Sequence, residues 1–252
     1  MPYSPEVWAA AAIASFFVGL SKGGLANVGV VAVPLMSLVM SPVAAAGLLL
    51  PVYVVSDVLG VWIYRHRYSA RNLRLLIPAG LAGVLLGWLL ASRISDAVAS
   101  VIVGLVGCAF VAIVLWRRRY PPVPRGADVT RGLFWGVATG LTSFITHSGA
   151  ATFQIFVLPQ KLDKAVFAGT STLTFAAINL AKIIPYWSLG QLSPVSMATA
   201  LALVPCALIG TIVGARVTRR LPTAWFFGVV QVALLLVSML LLYQGLAEIV
   251  SG

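Results

Sequence analysis

The chain has 252 residues, 60% of them hydrophobic and 9% charged, with a mean hydropathy of +1.01. Soluble domains carry roughly 25% charged residues, so this is the composition of a polytopic membrane protein, with no room for a soluble catalytic domain. The net charge of +11 does not indicate nucleic acid: the basic residues gather in loops between apolar runs, as cytoplasmic loops do, and lack the length and aromatic interleaving of a nucleic-acid binder.

Residues 1–6 carry no basic region, so a cleaved leader is not expected. Residues 8–40 are apolar except at Ser21-Lys22-Gly23-Gly24. As one helix they would extend about 50 Å, too long for one crossing of a ~30 Å hydrocarbon core, while two full crossings need about 40 residues. The segment therefore reads as a hairpin of two short helices with the break near its tip. Ser41-Pro42 punctuates the chain, and residues 43–64 form a span that contains Asp57. A basic loop at 65–74 leads to a short, glycine-rich span at 75–90 and another at 97–116. Residues 117–130 are a basic, proline-rich linker that cannot continue a helix. The order then recurs. Residues 133–158 are apolar but interrupted by Gly140-Leu141-Thr142-Ser143-Phe144-Ile145-Thr146-His147-Ser148-Gly149. Spans follow at 165–187, carrying Asn179 and Lys182, at 195–215, and at 222–246, the last two separated by the basic stretch 216–220. Cys108 and Cys206 lie in apolar segments and read as packing residues.

The halves resemble each other. Pro78-x4-Gly83-x3-Gly87 recurs as Pro205-x4-Gly210-x3-Gly214; Trp116 meets Tyr243, Ala46-Gly47 meets Ala168-Gly169, and Asp57 meets Asn179. Equivalent loops are opposite in basic character. The loop at 65–74 is basic where 188–194 is uncharged, the turn at 91–96 is near neutral where 216–220 is basic, and Ser41-Pro42 is uncharged where Lys161 and Lys164 stand. Lys and Arg mark the cytoplasmic side, so the halves face opposite ways, which requires an odd number of crossings in each. The expected fold is an all-α polytopic membrane protein of two inverted-topology repeats, 1–116 and 131–252. Each is a broken-helix hairpin plus three transmembrane helices, with the 117–130 linker cytoplasmic and both termini opposite.

Two interrupted apolar segments at corresponding places are a sequence pointer to a transporter binding site. Lys22, beside Gly23 and Gly24, is placed to hold an anion, with the N–H groups of the following half-helix pointing the same way. Thr142 and Ser143 match Ser21 and Lys22 by position and are preferred to Thr146 as ligands. His147, with Ser148 beside it, is placed to donate to an oxyanion or carry a proton. Gly169-Thr170-Ser171-Thr172 opens the span in which Asn179 and Lys182 share a helical face, and Thr170 and Ser171 join the candidate set. Asn27 bonds substrate or caps the returning helix. Asp57, the acid deep in a span, is an ion-pair partner of Lys22 or Lys182, or the protonatable group of a coupled transporter. Plainer alternatives stand beside these: the lysines snorkel to an interface, and the hydroxyls bond back along their own helices. No enzyme, metal or cofactor signature appears, and none of these is expected.

The chain resembles the TauE/SafE family of sulfite exporters and anion permeases. The resemblance is carried by Gly19-Leu20-Ser21-Lys22-Gly23-Gly24 with Val33-Pro34-Leu35, by Gly140-Leu141-Thr142-Ser143 with Leu158-Pro159, and by Ala168-Gly169-Thr170-Ser171. It covers nearly the whole chain. His147-Ser148-Gly149-Ala150 stands where the family's second glycine cluster is usually richer. The resemblance implies a multi-pass transporter of sulfite, a sulfonate or a related sulfur or carboxylate anion, expected in a bacterial inner membrane. Its partners would be a small anion and the lipid bilayer, and a homodimer stays open. The rival readings are an anion channel, a proton- or cation-coupled transporter centred on Asp57, and an intramembrane enzyme or assembly factor.

Overall fold

A computed structural model describes residues 3–91, 93–121, 123–220 and 224–251, the side chains at 26, 27, 219, 220, 224–227, 229 and 230 excepted. The helices are α1 (Pro5–Lys22), α2 (Ala32–Met36), α3 (Pro42–Tyr64), α4 (Ala70–Ala91) and α5 (Asp96–Arg119), then α6 (Val129–Thr146), α7 (Ala150–Val157), α8 (Lys164–Ser188), α9 (Pro194–Arg220) and α10 (Ala224–Ser251). Their starts are written in the sequence. Ser4, Ser41, Ser95, Asp128 and Asp163 each accept a backbone N–H in the first turn of the helix that follows, which satisfies donors that have no partner a turn back. Pro5 and Pro42 occupy first-turn positions, where the missing N–H is no loss.

Among the described residues, six helices are long and apolar enough to cross a membrane: α3, α4, α5, α8, α9 and α10. Trp62, Trp116 and Trp187, near the C-terminal ends of three of them, are exposed, as suits rings at a lipid–water interface. α4 begins at Ala70 and α5 runs on through Arg117, Arg118 and Arg119. Both helices thus extend past their apolar runs into basic sequence, because a long arginine stem lets a helix end leave the bilayer without burying its charge. The expected start of the last span at Pro222 lies outside the described residues.

The hairpins differ from two short arms. α1 and α6 have 18 residues each, about 27 Å of helix. The chain returns from α1 as a 3-10 segment, Ala26–Val31, and the five-residue α2; it returns from α6 as α7, with eight residues, and a 3-10 turn, Leu158–Gln160. Neither α1 nor α6 has a proline beyond its first turn, whereas Gly29, Pro34 and Pro159 lie on the returning arms and keep them short or tight.

Packing pairs the two halves. α4 lies on α6 and α9 on α1; α5 lies on α10 and α3 on α8; α3 lies on α9 and α8 on α4. Exchanging α1, α3, α4 and α5 for α6, α8, α9 and α10 leaves this set of contacts unchanged. The glycine seams repeat in the same sense. A Cβ on Gly140 would come within 1.9 Å of Gly80 O, and one on Gly19 within 1.9 Å of Ala207 O. A Cβ on Gly83 would meet Val137 O at 2.1 Å, and one on Gly210 would meet Phe16 O at 2.3 Å. In each half bare backbone lies on backbone, the close approach that small residues permit between membrane helices.

Candidate binding site at the two helix breaks

At the first break α1 ends on Lys22. The N–H groups of Gly23, Gly24 and Leu25 turn back to Gly19 O, Ser21 O and Leu20 O. Those three amides close the helix and do not point at a ligand, and α2 is too short to carry a useful dipole. The Gly23 and Gly24 amides expected at the site are thus already spent on the end of α1. Gly24 has φ +113°, a conformation strained for any residue with a Cβ. One face of α3 fastens this break in place: Tyr53 Oη donates to Gly29 O at 3.2 Å, Asp57 pairs with Lys22, Gly60 lies against the Lys22 backbone, and Tyr64 Oη donates to Gly23 O at 2.8 Å. The spacing Tyr53, Asp57, Gly60, Tyr64 is the helical repeat that puts all four on one side.

At the second break His147 caps α6 with φ 53°, a left-handed conformation uncommon for a residue with a side chain. It is held from several directions. Its N–H bonds Ser143 O at 3.1 Å, its ring stacks on Tyr53 at 4.6 Å, Nε2 lies 3.1 Å from Ala46 O, and Nδ1 lies 2.8 Å from Lys182 Nζ. A carbonyl only accepts, so Nε2 carries the proton and Nδ1 accepts from the ammonium, which assigns the ring one neutral tautomer. Lys182 Nζ also donates to Ser143 O at 2.9 Å and Ser143 Oγ at 3.2 Å, so its three donors are all engaged. Tyr186 Oη donates to Phe144 O.

The two breaks meet across α3 and α8. Lys22 Nζ lies 2.6 Å from Asp57 Oδ1, and Asn179 Nδ2 donates to Asp57 Oδ2 at 2.7 Å. The Lys22 ammonium also sits 5.1 Å from the Tyr53 ring centroid and 5.7 Å from that of Phe175, within cation–π range. Beside it lies a cavity of about 30 Å³ lined by Lys22, Ser143, His147, Ser171, Thr172 and Asn179, among others, with room for about two water molecules. Among the described residues the buried acids and bases are Lys22, Asp57, His147 and Lys182. The buried ionisable groups at the site are thus two lysines against one aspartate, beside the neutral His147 ring.

A sequence model of the family described as Sulfite exporter TauE/SafE matches residues 11–241. The chain belongs to the sulfite exporter TauE/SafE family. It is therefore a multi-pass membrane transporter of the sulfite and anion exporter type. Among curated proteins and among solved structures, nothing matches.

In this TauE/SafE protein the candidates read from sequence divide into two groups. Lys22, Ser143, His147, Ser171 and Asn179 line the cavity, and Asp57 and Lys182 stand directly behind it, bonded to residues that do. Gly23, Gly24, Thr142, Ser148 and Thr170 do not line it. Gly23 packs on α9, where a Cβ would meet Thr211 O at 2.4 Å, and Gly24 lies against Tyr64 and Thr218. Thr142 Oγ1 donates back to Ala138 O, Ser148 Oγ to Thr146 O, and Thr170 Oγ1 to Val166 O while accepting from Ser69 N at the loop before α4. These hydroxyls satisfy backbone, the local alternative open to Ser and Thr in helices. The side chain of Asn27 lies outside what the structure describes.

Tyr53, Phe175 and Thr172 were missing from the sequence-derived set. A signal for them exists: Tyr53 stands four residues before Asp57, Phe175 four before Asn179, and Thr172 seven before Asn179, all helical-face spacings. The equivalence runs further. Tyr53 and Phe175 flank the same ammonium; Asp57 and Asn179 bond each other; Tyr64 and Tyr186 each hold a carbonyl at the end of the hairpin's long arm, Gly23 and Phe144. α3 and α8 present these residues at one constant offset.

Proposed function

We propose that this protein is a secondary transporter that carries a small oxyanion, sulfite or an organosulfonate before a simple carboxylate, through the cavity between its two helix breaks. The observation that carries the reading is the charge count at that cavity: Lys22 and Lys182, 4% and 0% exposed, against the single carboxylate of Asp57. Buried charge inside a membrane is costly and marks a substrate or ion path, and a positive excess selects an anion. Lys22 is the direct contact, helped by the hydroxyls of Ser143, Ser171 and Thr172 and by the amide of Asn179. Lys182, whose donors are occupied, contributes field and holds Ser143 and His147 in place. The exchange-symmetric packing of the two halves, with their opposite loop charges, supports an inverted duplication, and alternating access follows from rocking one half on the other. An oxyanion needs more room than two waters, so loading requires the hairpins to part.

The test is thermal stabilisation of the detergent-purified protein by sulfite, sulfate, thiosulfate, sulfoacetate, taurine and lactate. A ligand present at about 100 times its dissociation constant adds about 2.7 kcal/mol to a folded state it alone recognises. The expected result is a higher melting temperature with one or more sulfur oxyanions and none with sodium or potassium. Stabilisation by cations alone would contradict the reading and shift attention to Asp57 as a cation site.

A further inference from the structure

We propose that Asp57 competes with the transported anion for Lys22, and that each anion entering the site brings one proton, which neutralises Asp57. The inference rests on the anion-transport reading and names its coupling ion.

The cavity wall that offers a cation to an anion is already occupied by one. Asp57 Oδ1 lies 2.6 Å from Lys22 Nζ, and an anion that binds this ammonium either displaces the carboxylate or puts a second negative charge beside it. The displaced carboxylate has nowhere good to go. Asn179 is a single neutral donor, already bonded to Oδ2 at 2.7 Å. Lys182, the other cation on α8, has its donors committed to Ser143 and His147. Tyr53, one turn back on α3, spends its hydroxyl on Gly29 O. From α1 the titratable group facing Asp57 is Lys22; from α8 it is Lys182, with the neutral amide of Asn179 beside it; from α6, beyond Lys182, it is the His147 ring. An ionised Asp57 left beside a bound anion would be a buried, unpaired charge next to a like charge, the arrangement that protein interiors tolerate least. A proton removes the conflict. It converts Asp57 into a donor-bearing carboxylic acid that Asn179 can still bond, and it leaves Lys22 to the anion. For a monoanion the charge of the site is then the same loaded and unloaded, so loading does not build up charge at membrane depth.

His147 is a poorer carrier for this proton. Both ring nitrogens are used by the neutral form, and a second proton on Nδ1 would face the Lys182 ammonium from 2.8 Å. The proton balance is simple: it enters from the medium on the loading side, resides on Asp57 while the anion holds Lys22, and leaves on the other side as the ion pair re-forms.

The experiment uses the full-length purified protein and two probes whose charge does not change with pH in the working range, methanesulfonate and thiosulfate. Affinity is measured between about pH 5.5 and pH 8, and proton uptake is counted by calorimetry in buffers of different ionisation enthalpy. The expected result is an affinity that falls about tenfold per pH unit once Asp57 is ionised in the free protein, with one proton taken up per anion bound. Asp57→Asn should abolish both the slope and the uptake, and should lose proton-driven accumulation in liposomes. The wild-type proton count stands even where that variant folds poorly. Anion binding by wild-type protein with no pH slope and no proton uptake overturns the coupling and leaves the anion reading intact. Failure of every anion in the panel to bind at any pH overturns both.

Discussion

The two lysines of the site make an instructive contrast. Lys22, from the first hairpin, is held by a carboxylate and two aromatic rings; Lys182, from α8 in the second half, is held only by neutral acceptors, a carbonyl, a hydroxyl and an imidazole nitrogen. Their equivalents in the other half are uncharged: Ser143 stands opposite Lys22, and Gly60 opposite Lys182. A helix-pairing pattern that matches in the two halves thus carries its two cations at inequivalent points. An ion-paired lysine can exchange its partner for a ligand, because the pair is broken only to be remade. A lysine with all its donors in neutral hydrogen bonds has nothing to exchange. The first is built to bind and release, and the second to set the potential and the geometry.

Breaking this contrast at its strongest point should have the largest effect. Lys22→Ala leaves Asp57 buried without its partner, which should cost about 3–5 kcal/mol of stability and remove anion binding; thermal unfolding and ligand shifts measure both. Adding Asp57→Asn to Lys22→Ala should return most of the stability and none of the binding. Next come the seams on which both halves depend. Gly19→Ala and Gly140→Ala each drive a Cβ to 1.9 Å from a carbonyl oxygen, and each should lose about 3 kcal/mol by matching amounts, whereas Gly126→Ala, with nothing within 4 Å, should change nothing. Unequal losses at Gly19 and Gly140 would break the equivalence of the two seams. Lys182→Met should be milder than Lys22→Ala. It strips the donors from Ser143 and His147, costing about 1–3 kcal/mol, and weakens anion affinity at least about tenfold, the scale of one unit charge acting through about 10 Å at an effective dielectric of about 20. Smallest of all, Thr142→Val should leave anion affinity unchanged in the same titration, because that hydroxyl serves Ala138 O.

Much of this arrangement was legible in the sequence because charge inside a membrane is rare. Lys22, Asp57 and Lys182 stand out in apolar runs for that reason, and the recurring glycine spacing marks helices that pack in the same pattern in both halves. The hydroxyls were harder. Thr142 and Ser143 are neighbours, yet one faces backbone and the other the cavity, and only the phase of α6 against α8 decides which. Aromatic residues such as Tyr53 and Phe175 are common in membrane helices, so nothing marks them until Asp57 and Asn179 fix the face. The unequal hairpin arms were hidden because apolarity is the same in an α-helix and a 3-10 turn; glycine and proline on the return decide the difference.

The central claim is that the two breaks form one anion site with Lys22 as its direct contact. Equilibrium binding of radiolabelled thiosulfate to wild-type protein and to Lys22→Gln tests it most directly. The account predicts a single saturable site in the wild type that Lys22→Gln abolishes while the protein stays folded and monodisperse. Binding of equal affinity by Lys22→Gln would contradict it.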